Sequence, residues 1–231
     1  KAETLPIKQA SRSINSVSSM SGNIDSGESQ SSATLEARAL VNRNVLLLLN
    51  SNWLIETQGL LESETMTDVF VSSCKKVFDQ QKESYADIAL RKAMPKLYLF
   101  VTSAWSISEE VRTNKTNADP SKYAAYSQSN LANILSVYQS RDMNQLINRL
   151  YEDMMSDFSE FQSFVTAVTS SPKFTNELYS KLWSNLQGAT VSFYLRLYSL
   201  IEKHYKGTEI KFSKNDIISA FTSCKANFSS T

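Results

Sequence analysis

Glycine and proline are scarce in this chain, 5 and 4 among 231 residues, where average usage would give roughly 28 of the two together. A β sandwich or barrel needs a glycine or proline turn about every 8–12 residues, so those folds are excluded, and no glycine-rich loop remains to cradle a phosphate. One histidine and two cysteines exclude a histidine-rich metal site and a disulfide framework. A net charge of +1 excludes a strong electrostatic binder of nucleic acid. No apolar run approaches the roughly 18 residues of a membrane span, the longest being Val45 to Leu49. Residues 1–10 lack the apolar segment of a signal peptide, and with a first residue other than Met the chain reads as part of a longer cytosolic protein. In a reducing compartment Cys74 and Cys224 are expected as small apolar groups, not reactive thiols.

What is present is helical. With 42% hydrophobic and 20% charged residues, a chain of this length can bury about seven-tenths of its unfolded surface without metal or disulfide. Ten serines fall between Ser11 and Ser32, and no aromatic precedes Trp53. Residues 1–33 are therefore read as a serine-rich lead, partly helical or flexible. A stripe of Ile7, Ala10, Ile14, Val17 and Ile24 favours a short docked helix within it. From Thr34 the apolar residues Leu35 to Leu54 are too numerous for one stripe, which predicts a helix surrounded on most sides and ending near Gly59. A second helix is expected from Thr65, carrying Val69, Phe70, Cys74, Val77 and Phe78 inward. Pro95 marks a kink or restart, after which Leu97, Phe100, Val101, Ala104, Trp105 and Val111 repeat at three and four. The pattern fails over 112–118, the expected boundary between a first bundle, 34–118, and a second, 119–231.

Asp119 and Pro120 form a cap and first-turn pair, predicting a helix that presents Tyr123, Ser127, Leu131, Ile134 and Tyr138. Then comes the most regular repeat of the chain, Met143, Ile147, Leu150, Met154, Phe158, Phe161, Val165 and Val168, the signature of antiparallel bundle packing. Ser171 and Pro172 open the next helix, whose stripe of Leu178, Leu182, Leu186, Ala189, Phe193, Leu197 and Leu200 can run to Gly207 without stopping at Gly188. At 1.5 Å per residue it would be roughly 50 Å long, more than the ~45 Å diameter of a compact globule of this size. The last helix starts at Ser213 with Asp216 three residues on and a Phe212–Ile217 staple. The expected fold class is all-α, an elongated rod of two stacked antiparallel helical bundles.

Chemistry is thinly represented. His204 would need a Ser or Cys and an orienting carboxylate for nucleophilic catalysis, and its neighbours Glu202 and Lys203 do not face it on a helix, so it is read as a partly exposed surface histidine. Glu152, Asp153, Asp157 and Glu160 are read as a solvated face, because paired acids for glycoside chemistry need a cleft between them. No catalytic, cofactor-binding or metal-binding residue is assigned and no cofactor is expected. Arg196, Lys203, Lys206, Lys211 and Lys214 outweigh Glu202 and Glu209 and are candidates for contact with an anionic surface. A smaller basic cluster includes Lys75, Lys76, Lys82, Arg91, Lys92 and Lys96. Phe193, Tyr194, Tyr198 and Tyr205 lie on a long helix and not on a sheet platform, so they read as core and flank, not as base-stacking residues. Tyr151, Met155, Trp183 and Tyr194 fall off the main apolar stripes of their helices and are candidate partner contacts, on the expectation that they are exposed.

The stretches TLEARALVNRNVLLLLNSNWLIETQG (34–59), DPSKYAAYSQSNLANIL (119–135), MNQLINRLYEDMMSDFSEF (143–161) and FSKNDIISAFTSCKANF (212–228), together with the serine-rich lead, resemble the C-terminal helical region of a fungal exocyst component, component eighty-four. The resemblance covers essentially the whole chain and rests on overall character, since this family of vesicle-tethering rods has no short diagnostic motif. It implies a non-catalytic scaffold of a multi-subunit tether that holds secretory vesicles at the plasma membrane before fusion. The implied partners are other subunits of the complex. A small GTPase, a SNARE-related regulator and weak anionic membrane contact are further candidates, no nucleic acid is expected, and the alternative reading of the chain is a peripheral membrane-binding or small-GTPase-regulating helical module. The implied location is cytoplasmic, recruited to plasma membrane sites of secretion and to secretory vesicles.

Overall fold

The computed structural model describes residues 27–57, 64–114, 119–159 and 172–225, and among these the protein is all α. The helices are α1 (Gly27–Thr57), α2 (Glu64–Ala93), α3 (Pro95–Asn114), α4 (Gln128–Leu135), α5 (Ser140–Ser159), α6 (Pro172–His204) and α7 (Lys214–Lys225). Two 3-10 turns, Pro120–Lys122 and Ala124–Tyr126, precede α4. The chain divides into two compact units, Lys1–Glu36 and Ala37–Thr231. The described part of the first is the opening of α1, and the packing below is that of the second. The expected stripe Ile7–Ile24, the stop at Gly59, the repeat positions Phe161, Val165 and Val168, and Ser171 lie outside the described residues. The helix expected from Thr34 already begins at Gly27, inside the serine-rich lead.

α5 shows most directly how sequence becomes packing. Met143, Ile147, Leu150, Met154 and Phe158 are all buried, on one stripe of a 3.6-residue repeat. At ~2 kcal/mol each their burial is worth on the order of 10 kcal/mol, an upper figure. Helix propensities differ by only tenths of a kcal/mol per residue, so the stripe decides where α5 sits. It packs on α7 and α2, while α6 packs on α2, α3 and α7. The α6 stripe is buried at Leu178, Leu182, Leu186, Phe193, Leu197 and Leu200. One contiguous core joins Val45 of α1 to Cys224 of α7.

α2 corrects the sequence reading. Val69, Phe70 and Val77 are 73%, 49% and 37% exposed, whereas Val71, Cys74, Phe78, Tyr85, Ala86 and Leu90 are buried. The core-facing stripe is offset by about one residue from the densest apolar cluster, and only the contacts with α5 and α6 fix that offset. α1 buries Val45, Leu48 and Leu49 but leaves Leu40 and Leu46 exposed, so it is not surrounded on all sides. Its buried face also carries Asn44, Ser51 and Asn52. Asn44 Nδ2 donates to Ser84 Oγ at 3.0 Å, and Asn52 Oδ1 accepts from Lys181 Nζ at 3.4 Å. Such buried amides fix helix register.

Pro95 restarts the chain as expected. It is the first residue of α3, where its missing N–H costs nothing. The amide of Met94 still donates to Leu90 O at 2.9 Å and that of Tyr98 to Met94 O at 2.8 Å, so α2 and α3 meet at a bend. The Asp119–Pro120 pair caps a 3-10 turn, not a full helix. Asp119 accepts from the Ser121 amide, Tyr123 is 52% exposed, and α4 begins only at Gln128 under a Ser127 cap. α6 passes through Gly188 and ends at His204, three residues before Gly207 turns at φ +91.

α7 is held by a reciprocal cap. The Ser213 amide donates to Asp216 Oδ2 at 2.7 Å and the Asp216 amide to Ser213 Oγ at 3.2 Å, while Phe212 and Ile217 are both buried beneath it. Hydrogen bonds from the Ser213 amide, the Ser213 hydroxyl and Ser140 hold the Asp216 carboxyl below its usual range. A depressed carboxyl contributes stability that is present above its unfolded value of 3.8 and is lost as pH falls through the folded value. Replacing Ser213 by Ala should therefore cost about 1 kcal/mol at pH 7, and the penalty should shrink as pH drops below 3.8. Urea unfolding of both proteins across that range checks it, and an equal penalty at low pH would contradict the cap.

Candidate functional site

The sequence left His204 without partners, and the fold supplies two. Folding brings α3, the end of α6 and the turn before Pro120 together. His204 Nδ1 lies 3.1 Å from Asp119 Oδ1, and His204 Nε2 lies 3.2 Å from Ser108 Oγ. With Asp119 accepting from Nδ1–H, Nε2 accepts from the Ser108 hydroxyl. The histidine is part-buried, its side chain 19% exposed. Burial pushes the Asp119 carboxyl up, but the Ser121 hydroxyl and amide, and then His204, outweigh it and hold the group below its usual range. Beneath lies Tyr205, wholly buried against Phe100. Its hydroxyl has no hydrogen-bond partner, and burial, followed by Asp119 and Tyr126, pushes it up to about 12.

This serine, histidine and aspartate share the connectivity of a hydrolase triad, but their setting differs. Ser108 sits in the body of α3, where backbone N–H groups are committed to the i−4 carbonyls. An acyl-transfer site needs two free donors next to the nucleophile to hold the oxyanion. In the body of a helix the three groups can tie α3, α6 and the capped turn to one another. Separations of 96 residues to Ser108 and 85 to Asp119 put this juxtaposition beyond any local pattern. The one trace of it in the sequence is the capping pair at Asp119 and Pro120.

The acidic face of α5 is also more engaged than expected. Asp157 accepts from Tyr85 OH at 3.0 Å, and Asp153 pairs with Lys92 at 2.9 Å. Burial, and then Asp157, push the Tyr85 phenol well above its usual range. These carboxylates bind α5 to α2. In the basic cluster of α2, Lys82 likewise pairs with Asp79 at 2.8 Å. Among the described residues no group of three or more His, Cys, Asp or Glu could hold a metal ion. No helix among them is long and apolar enough to cross a membrane. Cys74 and Cys224 are buried and free. Cys224 Sγ donates to Asn148 Oδ1 at 2.7 Å, and burial pushes its thiol up, as suits a core thiol.

Of the candidate partner contacts, Trp183 is 2% exposed. Its Nε1–H donates to Phe221 O at 3.2 Å, and its ring lies 4.6 Å from that of Phe221. Tyr151 packs edge-on against Trp183, Tyr194 meets Phe212 at 5.7 Å, and Met155 is half-buried against the core. Trp183 thus packs on α7 and is not exposed, whereas Tyr151, Met155 and Tyr194 are partly buried. Arg196, Lys203, Lys206, Lys211 and Lys214 are all exposed. Lys203 Nζ sits 5.9 Å from the Trp105 ring centroid. Phe193 stacks on Tyr98 at 5.8 Å, in keeping with core packing.

Similarity to known proteins completes the picture. No curated protein and no solved structure matches the chain. The family described as "Exocyst complex component Sec3, C-terminal" matches residues 9–207. The resemblance to an exocyst component holds at the level of the complex, and the component named by the family is Sec3 where the sequence pointed to component eighty-four. With α1 through α6 inside the matched span, the chain belongs to the family of the C-terminal region of exocyst component Sec3.

Proposed function

We propose that this chain is a non-catalytic helical scaffold of the exocyst, which helps hold secretory vesicles at the plasma membrane before fusion by binding other subunits. Family membership over residues 9–207 carries the reading. The helical fold supports it, because its polar constellations, Ser108–His204–Asp119 and Tyr85–Asp157, cross-link elements. The partners are other exocyst subunits, with a small GTPase or SNARE-related regulator as candidate ligands of the assembled complex. The place of action is the cytoplasmic side of secretory vesicles and of plasma membrane sites of secretion.

Affinity capture of the full-length protein from cells should recover a stable set of other exocyst subunits, and recovery as a lone monomer would overturn the scaffold reading. A fluorophosphonate, which phosphonylates activated serines with loss of fluoride, should leave Ser108 unlabelled. Labelling that His204→Gln abolishes would instead make this constellation a catalytic site.

A second reading rests on five exposed cations between Arg196 and Lys214. At about 1 kcal/mol per basic residue near an anionic surface, they would add weak membrane contact to a complex held together by protein. Sedimentation with phosphatidylserine vesicles at low salt should show binding, and neutral vesicles none. Absence of binding to the anionic vesicles would remove this reading.

A further inference from the structure

α1 docks through the least apolar buried face of the described fold. Four polar, non-aromatic side chains are buried among the described residues, Asn44, Ser51, Asn52 and Thr190, and the first three lie on α1. Its buried face is Asn44, Val45, Leu48, Leu49, Ser51 and Asn52, half of it polar, whereas the buried face of α5 is apolar throughout. Leu40 and Leu46 stay exposed on the same helix. α1 therefore does not gather its apolar residues on the side that docks, as a permanently packed helix does.

The buried polar groups gain little from their burial. Asn44 Nδ2 donates to Ser84 Oγ of α2 at 3.0 Å. Ser51 Oγ donates back to Leu47 O within α1, which adds nothing to the docking. Asn52 is 1% exposed, and while its Oδ1 accepts from Lys181 Nζ of α6 at 3.4 Å, its Nδ2 has no hydrogen-bond partner. Turning that amide over would set Nδ2 against the ammonium and strand Oδ1 instead. A stranded buried donor weakens only the docked state, because water satisfies it once the helix lifts away. Backbone packing does not compensate. The close helix pairings among the described residues join α2 through α7 to one another, and α1 is not among them.

We propose that α1 is a detachable strap, whose docked part, Asn44 to Ile55, lifts from α2 and α6 as a unit while the core of α2, α3, α5, α6 and α7 stays folded. The chain joins it to that core only beyond Thr57, so it can swing away without threading. Asn44 on Ser84 and Asn52 on Lys181 set where the strap lands, and the stranded Nδ2 keeps the landing reversible. Lifting bares Val45, Leu48 and Leu49 on the strap together with the seat around Ser84 and Lys181. Both surfaces exist only in the open state, so contact at either is gated by the strap.

The test is hydrogen exchange, read by mass spectrometry on the full-length protein in buffer and in low urea. Peptides covering 44–55 should exchange at least tenfold faster than those covering 143–158 of α5 and 178–200 of α6. Their opening should also depend less on urea, because it exposes less surface. Asn52→Leu removes the stranded donor and releases only a long bond to a lysine that is itself exposed. It should slow exchange over 44–55 at least tenfold and leave α5 and α6 unchanged. Leu48→Ala should speed exchange over 44–55 at least tenfold, again without effect on α5 and α6. The wild-type comparison decides the matter even where a variant does not fold. Protection over 44–55 equal to that of α5 and α6, with the same urea dependence, would make α1 part of one cooperative core and overturn the strap. Either substitution shifting all three helices together would overturn it too, as would Asn52→Leu leaving α1 exchange unchanged.

Discussion

Everything in the described fold leans on the apolar face of α6. Leu178, Leu182, Leu186, Phe193, Leu197 and Leu200 are buried along one 33-residue helix, and α2, α3 and α7 each pack directly on it. α5 reaches it through aromatic contacts, Tyr151 on Trp183 and Phe158 on Tyr179. Because neighbours meet α6 on several sides, positions off its main stripe are buried too. Hence Trp183 is interior although its spacing suggests otherwise. A helix that serves several partners breaks the simple rule that one stripe faces in and the rest face out.

The polar contacts then act on top of that core. Apolar burial drives helices together without choosing their axial register, and the interior amides make the choice. Asn44 on Ser84, Asn52 on Lys181 and Asn185 on the Lys82 carbonyl join α1, α2 and α6 at defined heights. The His204 chain and the Ser140 amide, which donates to Lys211 O at 3.0 Å, do the same at the end of α6. Each contact is small, about 1 kcal/mol net, but a shifted register would break several of them at once.

How much of this was legible depended on whether a feature is local. The α5 repeat as far as Phe158, the α6 stripe, the restart at Pro95 and the Ser213–Asp216 cap follow from spacing and stereochemistry within a few residues, and each is present. The α2 face was misread because Val69, Phe70 and Val77 are as apolar as the residues that are buried. Which of two overlapping stripes turns inward is settled by α5 and α6, far away in sequence. The Asp119 cap was legible, but not that it closes a single 3-10 turn, since Tyr123 finds no core to enter. Ser108, His204 and Asp119 were illegible as a group, because only the packing of α3 on α6 unites them.

The burial of Trp183 has an optical consequence. Its indole sits between Tyr151 of α5 and Phe221 of α7, its N–H held by the Phe221 carbonyl, while Trp53 and Trp105 are only partly buried. Undocking α7 would hydrate the one indole whose surroundings are dry, and would shift its emission toward the red. The protein thus carries a fluorophore at the seam between its last helix and the rest, in a place where the attachment of that helix can be watched without any added label.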